Sequence, residues 1–267
     1  LRSGGEAVRI CQLASGSKGN AIYIESDTTR ILIDAGLSAR ELSRRLEGIG
    51  VAARDLDAIV VSHEHRDHCI GAGPLCRRYS LPLFCLPQTF EALPSIGTVD
   101  YCALEAGESL HVGDVSVEAF PVTHDAVAPV GFVLSSGGVR VGIATDLGVV
   151  TRLVLERLQR CQVLVIETNH DEKMLHDGPY PWHLKQRVRG RHGHLSNHQA
   201  AELLQELIWP ELQAVFMAHM SETNNTEELA RESVQQALNA RAGCNPRLIA
   251  GQVAVASESF SCSKNIC

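Results

Sequence analysis

Four potential metal ligands lie within six residues of this chain, directly after a run of apolar residues. They are His63, His65, Asp67 and His68. The preceding segment Ala58–Ser62 is typical of a buried β-strand. Imidazole nitrogens and carboxylate oxygens suit Zn²⁺, Mn²⁺ and Fe²⁺. A spacing of two residues puts the first two histidines on one side of an extended turn, and the last two ligands are far enough along to face a second ion. The pattern favours a metal site over the alternatives, a solvated polar turn or a helix start capped by Asp67.

The apolar pattern predicts a β-rich first half with one helix and a more helical second half. Strands are expected at Ala21–Ile24, Arg30–Asp34, Ala58–Ser62, Val115–Phe120, Val130–Leu134, Val139–Ala144, Val163–Glu167 and Leu212–Ala218. Helices are expected after the capping pairs Ser38/Glu41, Ser196/Gln199 and Asn225/Glu228, and over Thr151–Arg160. Residues 171–194 lack periodicity and are expected to form a long loop. This order suits two packed sheets with helices outside, in a single domain over residues 1–267.

Composition narrows the class of protein. The 267 residues are 45% hydrophobic, and none of the apolar runs approaches the roughly 18–20 residues that cross a bilayer, so no membrane partner is expected. The nine cysteines are scattered and form no C-x-x-C pair, which argues against disulfides or a zinc knuckle and favours reduced core cysteines in a cytoplasmic protein. A formal charge of −7 argues against nonspecific coating of nucleic acid but leaves room for a local basic track or bound cations.

The pattern H-x-H-x-D-H after a hydrophobic strand resembles the signature of the metallo-β-lactamase superfamily. Further landmarks occur in that superfamily's order: Ile31-Leu-Ile-Asp-Ala-Gly36, Pro121-Val-Thr-His-Asp-Ala126, Ile143-Ala-Thr-Asp-Leu-Gly148 and Ala214-Val-Phe-Met-Ala-His219. The resemblance implies an α/β fold, a four-layer αββα sandwich in which two mixed sheets pack face to face. It implies a first ion on His63, His65 and His124, a second on Asp67, His68 and His219, and Asp146 bridging them. It gives Asp34 a supporting role outside the ligand set.

Finer motifs resemble one branch of that superfamily, the YycJ (WalJ) exonucleases. They are Leu13–Asn20, Glu167–Asp171, Gly193–Asn197 and His219–Asn225. The branch implies a metal-dependent exonuclease that acts on DNA from the 5′ end. Gly193–Ser196 also resembles a phosphate-binding motif of the β-CASP nucleases and ribonuclease J, but the long insertion that defines a β-CASP domain is missing. Met220 stands where the branch more usually has Leu.

Several polar residues are candidates for substrate binding. His194 lies just before the Ser196 helix cap, where free N–H groups favour an anion. Lys185, Arg187 and Arg189 belong to a segment with no acid, which can neutralise a nucleic-acid backbone or, alternatively, form a solvated flexible loop.

The remaining candidates are more ambiguous. The Gly-Ser-rich segment with Ser15, Ser17 and Asn20 suits either phosphate binding by backbone N–H groups or a tight turn. Asn169 and His170 follow an apolar strand, where substrate contacts or helix capping are both possible. Asn224, in the last of the branch motifs, is also a candidate contact.

The predicted reaction is phosphodiester hydrolysis. By the resemblance, two divalent ions (Zn²⁺, Mn²⁺ or Fe²⁺) about 3.5–4 Å apart share a water and Asp146, and metal-bound hydroxide attacks phosphorus. Asp67, Asp146 and His194 are the expected catalytic residues. The basic segment favours a nucleic-acid substrate, DNA by the resemblance. The alternatives are hydrolysis of a small ester, thioester or lactam, an RNA-directed nuclease, and a non-catalytic metal-stabilised binding protein.

Overall fold

Two seven-stranded sheets form the centre of the molecule. The computed structural model describes residues 7–94, 96–240 and 244–263. The strands are β1 (Ala7–Ala14), β2 (Ala21–Glu25), β3 (Arg30–Ile33), β4 (Ala58–Val60), β5 (Leu83–Cys85), β6 (Tyr101–Ala103), β7 (Ser109–Val112), β8 (Val115–Pro121), β9 (Val130–Ser136), β10 (Val139–Ala144), β11 (Val163–Glu167), β12 (Ala214–Ala218), β13 (Arg247–Ala250) and β14 (Phe260–Ser263). The helices are α1 (Ala39–Gly48), α2 (Arg66–Cys69), α3 (Ala72–Tyr79), α4 (Pro87–Ala92), α5 (Arg152–Leu158), α6 (Glu172–Asp177), α7 (Trp182–Val188), α8 (Asn197–Leu207) and α9 (Glu227–Asn239).

Both sheets are mixed and have the same plan. The first has the order β14-β1-β2-β3-β4-β5-β6 and is antiparallel up to β3 and parallel beyond it. The second has the order β13-β12-β11-β10-β9-β8-β7, antiparallel from β7 to β10 and parallel from β10 to β13. In each parallel half the carboxyl ends of the strands lie at one edge of the sheet, so residues that follow these strands are brought together.

Alternation along the strands divides the apolar residues into three layers. Ile31 and Ile33 of β3 and Val163 and Val165 of β11 belong to one core between the two sheets. Leu32 belongs instead to the core under α1 and α3, and the intervening residues of β11 pack beneath α5, α8 and α9. A one-residue slip of either strand would exchange these layers, so the register is strongly specified. The predicted four-layer sandwich of two mixed sheets with helices outside is confirmed. That residues 1–267 form a single domain stays a prediction.

Three expectations about secondary structure are wrong. The described part of the first half carries four helices rather than one, and residues 171–194 contain α6 and α7 rather than one long loop. No residue of α7 is buried, so its sequence has no apolar periodicity by which to recognise a helix. The N-cap of α9 is Thr226 rather than Asn225, because Thr226 accepts a hydrogen bond from the Leu229 N–H.

The cysteines behave as core residues. The eight that the structure describes are all free, and six of them are buried. Burial raises the pKa of the Cys69 and Cys85 thiols to about 12, so they are not reactive thiolates. Cys267 lies outside the described residues. Within the part of the chain that the structure describes, no helix has the length and apolarity needed to cross a membrane.

Candidate metal centre

The predicted ligands lie just beyond strand ends of both sheets. His63 comes shortly after β4, His124 after β8, Asp146 after β10 and His219 directly after β12. The turn after β4 leads into the short helix α2, whose N-cap is His65 and whose first turn holds two further predicted ligands. Strand ends at one edge of the sandwich therefore bring together residues that are far apart in the sequence.

The seven predicted ligands form two adjoining groups. Candidate ligand atoms of His63, His65 and His124 lie within 4.8 Å of one another. The candidate ligand atoms of Asp67, His68 and His219 also lie within 4.8 Å of one another and form a second group. Asp146 lies between the groups, because its Oδ1 is 3.5 Å from both His124 Nε2 and His219 Nε2. The grouping is the one that the resemblance implies.

Several atoms of the cluster are buried without a hydrogen-bond partner, as expected of metal ligands. They are His63 Nε2, His219 Nε2 and Asp146 Oδ2. Each buried polar atom left unpaired costs about 1–3 kcal/mol, so three of them in one cluster require an explanation. Neutral imidazole and carboxylate donors fit a divalent transition metal, which would satisfy all three atoms at once. The residues present therefore fit the two ions that the resemblance implies.

A carboxylate behind the second group orients one of its rings. Asp34 Oδ2 lies 2.7 Å from His68 Nδ1, and Asp34 Oδ1 accepts a hydrogen bond of 2.8 Å from the Ser62 N–H. His68 is thus held with its Nε2 3.1 Å from Asp146 Oδ2, in an orientation that makes no hydrogen bond between them. Partners of this kind fix the tautomer and orientation of metal-binding histidines. The supporting role expected for Asp34 agrees with this geometry.

Backbone conformation at three of these positions is unusual. Asp34, Asp146 and His219 have φ of 59°, 54° and 53°, in the left-handed region that side chains other than glycine seldom adopt. Such residues cost on the order of 1–3 kcal/mol each and gather at functional sites when the surrounding structure holds them there. All three follow the ends of buried strands, so the sandwich imposes the conformation that turns their side chains toward the cluster.

Glu167 is a further residue of the cluster that the list of sequence candidates missed. It is fully buried at the end of β11, and its Oε1 lies 2.7 Å from His194 Nδ1 and 3.1 Å from His219 Nδ1. Burial alone would raise the pKa of its carboxyl, but the charge and hydrogen bonds of the two histidines lower it to about 2. Glu167 therefore stays ionised and orients one predicted ligand and one predicted catalytic residue. The sequence did contain a signal for this residue, because Glu167 is an acidic residue at the end of an otherwise apolar strand.

We expect Glu167→Gln to lower metal affinity or turnover by about 10–100-fold, the usual effect of removing a carboxylate behind a metal-binding histidine. The substitution keeps the side-chain volume and can keep the hydrogen bonds from the Leu147 and Leu195 N–H groups. Metal titration of the purified variant measures the affinity. Glu206→Gln, on α8, is the matched control and should leave affinity unchanged. An unaltered metal affinity and turnover in Glu167→Gln would remove this residue from the site.

His194 faces the same cluster without belonging to either predicted ligand group. Its ring centroid lies 5.1 Å from that of His124 and 5.0 Å from that of His219. Its side chain keeps 20% of its surface exposed, whereas those of His124 and His219 keep 3%. This histidine is therefore open to a substrate in a way that its neighbours are not.

Three predicted substrate contacts form hydrogen bonds with predicted ligands, and their contact with a substrate stays a prediction. The Ser15 hydroxyl accepts a hydrogen bond from the His219 N–H at 2.8 Å, and the Asn169 amide donates to the His219 carbonyl at 2.8 Å. The Asn20 N–H donates to the Asp67 carbonyl at 2.7 Å. All three predicted contacts are buried. The segment that contains Ser15 and Asn20 is a turn between β1 and β2, which matches the alternative left open by the sequence, and Ser17 is exposed on it.

The cations of the basic segment lie in two different surroundings. Arg187 forms an ion pair of 2.6 Å with Asp125, whose own Oδ1 is 3.3 Å from His124 Nε2. Lys185 and Arg189 lie together with His170 and Ser196 around a separate pocket. Asn224 is buried at 1% exposure, and neither polar atom of its side chain has a hydrogen-bond partner. Sequence could not separate these residues, because Asp125 is 62 positions from Arg187.

Comparison with known families identifies the fold. A family model described as a β-lactamase superfamily domain matches residues 29–220, which is most of the chain and includes every predicted metal ligand. The chain belongs to the metallo-β-lactamase superfamily. Among solved structures, the metallo-β-lactamase fold protein YhfI from Bacillus subtilis aligns with a TM-score of 0.72 at 16% identity, covering 96% of this chain and 100% of that one.

Closer metallo-β-lactamase superfamily relatives are found by sequence. The exodeoxyribonuclease YycJ of Bacillus anthracis is 36% identical over 230 residues, covering 85% of this chain and 87% of the relative. The exodeoxyribonuclease WalJ of Streptococcus pneumoniae is 37% identical over 224 residues, covering 82% and 83%. The resemblance to this branch, expected from the short motifs, therefore extends over most of the chain.

Proposed function

We propose that this chain is a dinuclear-metal-dependent phosphodiesterase that acts on DNA as an exonuclease. The observation that carries the proposal is the pair of adjoining donor groups bridged by Asp146, with three buried donor atoms left unpaired. Paired sites of this kind serve hydrolysis by clamping the attacking and leaving oxygens. Similarity to proteins named exodeoxyribonucleases supports DNA as the substrate.

In this proposal His63, His65 and His124 would hold one divalent ion, Asp67, His68 and His219 would hold the other, and Asp146 would serve both. When bound, such ions acidify coordinated water and neutralise charge that develops on the phosphate. The ions are Zn²⁺, Mn²⁺ or Fe²⁺, since the donor set suits each of them. Cytoplasmic location stays a prediction from cysteine content.

The chain's own residues orient groups and move the proton. Glu167 Oε1 accepts a hydrogen bond from His194 Nδ1–H at 2.7 Å, which leaves Nε2 of that ring for the substrate. We assign His194 the transfer of a proton from its Nε2–H to the leaving oxygen, because its ring is partly exposed and lies outside both predicted ligand groups. Asp34 and Glu167 keep the rings of His68 and His219 in place, so the site needs little reorganisation when the substrate binds.

Substrate class is tested with bis-p-nitrophenyl phosphate, nitrocefin, a glutathione thioester, and end-labelled DNA and RNA of the same sequence. We expect hydrolysis of the phosphodiesters, with DNA preferred to RNA and cut from the 5′ end. Cleavage of nitrocefin or the thioester with no phosphodiesterase activity would overturn the proposal in favour of the small-substrate alternative.

We expect Arg187→Ala/Arg189→Ala to weaken DNA binding and to reduce its salt dependence. Each lost phosphate contact should lower the slope of log K against log salt by about 1. Arg187 is partly neutralised by Asp125, so among the single variants the slope should fall less in Arg187→Ala than in Arg189→Ala. The control is Arg40→Ala/Arg78→Ala, two exposed arginines on the first sheet's helices. If the slope of log K against log salt were the same as in the native protein, neither arginine would contact the DNA phosphates.

A further inference from the structure

A pocket of about 280 Å³ adjoins the metal centre. Its lining includes His170 and Ser196, whose segments form a small backbone ladder: the Asn197 N–H donates to the His170 carbonyl at 2.8 Å, and the Asn169 N–H donates to the Leu195 carbonyl at 3.1 Å. The same two segments carry Asn169 and His194, which contact His219 and Glu167. Ser196 is two residues from His194, no more than about 7 Å of extended chain. The pocket is therefore next to the proposed reaction site.

One residue that lines this pocket has a buried atom without a hydrogen-bond partner. His170 is 2% exposed, and its Nδ1 forms no hydrogen bond. Burial lowers the pKa of this imidazole to about 4, so the ring is neutral and Nδ1 can donate or accept according to the tautomer. Buried polar side-chain atoms in native proteins nearly always have a partner. The unpaired His170 Nδ1 is therefore an exception, and it lies in a residue that lines the pocket.

The cations of the pocket are available for an anion. Lys185 Nζ donates to the His176 carbonyl at 2.6 Å, and the Arg189 guanidinium lies 4.9 Å from the centroid of the Trp182 ring. Among the described residues neither cation forms a salt bridge with a carboxylate. This distinguishes them from Arg187, which is paired with Asp125.

The remaining walls favour a nucleotide over a bare phosphate. Trp182 is 59% exposed, and exposed aromatic rings beside cations are the usual stacking platform for bases of single-stranded nucleic acid. The Glu172 carboxylate accepts a hydrogen bond of 3.0 Å from the Ser196 hydroxyl. A carboxylate repels an isolated anion but can accept hydrogen bonds from a base or sugar. The pocket therefore offers cations for a phosphate, a ring for a base and acceptors for N–H or O–H groups.

We propose that this pocket binds one nucleotide of the DNA strand beside the scissile phosphodiester, with its phosphate at Lys185 and Arg189 and its base against Trp182. The inference rests on the proposed function, since it takes the ligand to be part of the substrate. The volume of the pocket, about 280 Å³, lies just below the range of about 300–1,000 Å³ that is typical of small-ligand sites, which suits a single nucleotide. Binding of this nucleotide would let the pocket select the DNA strand, and the pocket would be separate from the metal centre.

The test uses the metal-loaded protein and thymidine 5′-monophosphate, which has no phosphodiester to hydrolyse. The chain has two tryptophans, so Trp209→Phe leaves Trp182 as the reporter of fluorescence. Thymidine 5′-monophosphate should quench this fluorescence with a Kd at least about tenfold lower than that of thymidine or inorganic phosphate, because only the nucleotide uses both the ring and the cations. Lys185→Ala/Arg189→Ala should raise that Kd by about tenfold or more.

The matched control is Arg40→Ala/Arg78→Ala, which removes the same charge and includes an arginine 5.3 Å from the ring of Tyr79. It should leave the Kd unchanged. In otherwise native protein, Trp182→Ala should lower kcat/KM about tenfold more for a DNA tetranucleotide than for bis-p-nitrophenyl phosphate. This variant replaces an exposed side chain, so it tests the pocket even if Trp209→Phe fails to fold.

The outcomes separate the two proposals. No saturable quenching by thymidine 5′-monophosphate, or equal Kd values in the Lys185→Ala/Arg189→Ala and control proteins, overturns the nucleotide pocket even when DNA is hydrolysed. An equal affinity for inorganic phosphate shows a phosphate site only and also overturns it. Should Trp209→Phe fail to fold, equal losses on the two substrates in Trp182→Ala overturn it instead. Nucleotide binding without any phosphodiester hydrolysis supports the pocket and defeats the proposed function.

Discussion

Asp67→Ala is expected to abolish phosphodiester hydrolysis and to release metal while the protein remains folded. The carboxylate Oδ2 lies 3.7 Å from both His68 Nε2 and His219 Nε2, so the second group of ligands loses its only acid apart from the shared Asp146. Loss of a metal that stabilises transition-state charge by several kcal/mol should lower kcat by at least about 10³-fold. Turnover of bis-p-nitrophenyl phosphate and elemental analysis of the bound metal measure the two effects.

The fold of this variant should survive because the turn is held by its backbone. The Asp67 carbonyl accepts a hydrogen bond from the Asn20 N–H, and the side chain itself is 26% exposed, so its removal leaves little cavity. Far-ultraviolet circular dichroism should therefore match the native protein. Asp55→Ala, at an exposed acid that lies 3.8 Å from Arg54, is the control and should keep full activity. Native turnover in Asp67→Ala would defeat the ligand assignment.

The sandwich was predictable because its signals are local, whereas the grouping of the candidate ligands came from the resemblance. His63, Asp146 and His219 each come at or just after the end of an apolar strand, and the layer in which each strand lies follows from residue-by-residue alternation. The order of these landmarks along the chain is what the superfamily resemblance supplied. Sequence spacing alone gave the first turn, but it could not have shown that distant strand ends share one edge.

The contacts around the ligands were not predictable, because they depend on tertiary structure. Ser15, Asn20 and Asn169 are polar residues at strand ends, and nothing local distinguishes a group that binds substrate from one that holds a ligand's backbone. The same limit hid Glu167, whose partners come from loops 27 and 52 residues further along.

The nucleotide pocket shows a third kind of limit. Its cations and its tryptophan lie on or just beyond the end of α7, which has no buried residue and hence no helical pattern in its sequence. If residues 171–194 formed a loop, Lys185 and Arg189 would lie with Arg187 in one basic strip. The helix instead separates them by direction, so that Arg187 reaches Asp125 while its neighbours line the pocket.

Metal removal is expected to lower the melting temperature substantially as well as to end activity. The cluster holds at least three buried donor atoms without partners, and a ligand that binds only the folded state stabilises it by about 4 kcal/mol at 1,000 times its Kd. For a chain of this size each kcal/mol shifts the midpoint by about 2–4 °C, so the expected difference between metal-loaded and chelator-treated protein is about 8–16 °C. Differential scanning fluorimetry with each of Zn²⁺, Mn²⁺ and Fe²⁺ measures it.

Comparing the melting temperatures of one variant with and without metal separates the stabilisation by metal from any change in the stability of the metal-free protein. His65→Ala, at a partly exposed ligand of the first group, should reduce the difference between the metal-loaded and metal-free midpoints, because one of the three imidazoles is gone. His198→Ala removes an exposed histidine that pairs with Glu202 on α8, and it should keep the full difference. Equal midpoints with and without metal in the native protein would mean that the buried donors are not satisfied by an ion. The hydrolase assignment would then lose its physical basis, because the same unpaired atoms carry both the stability and the chemistry.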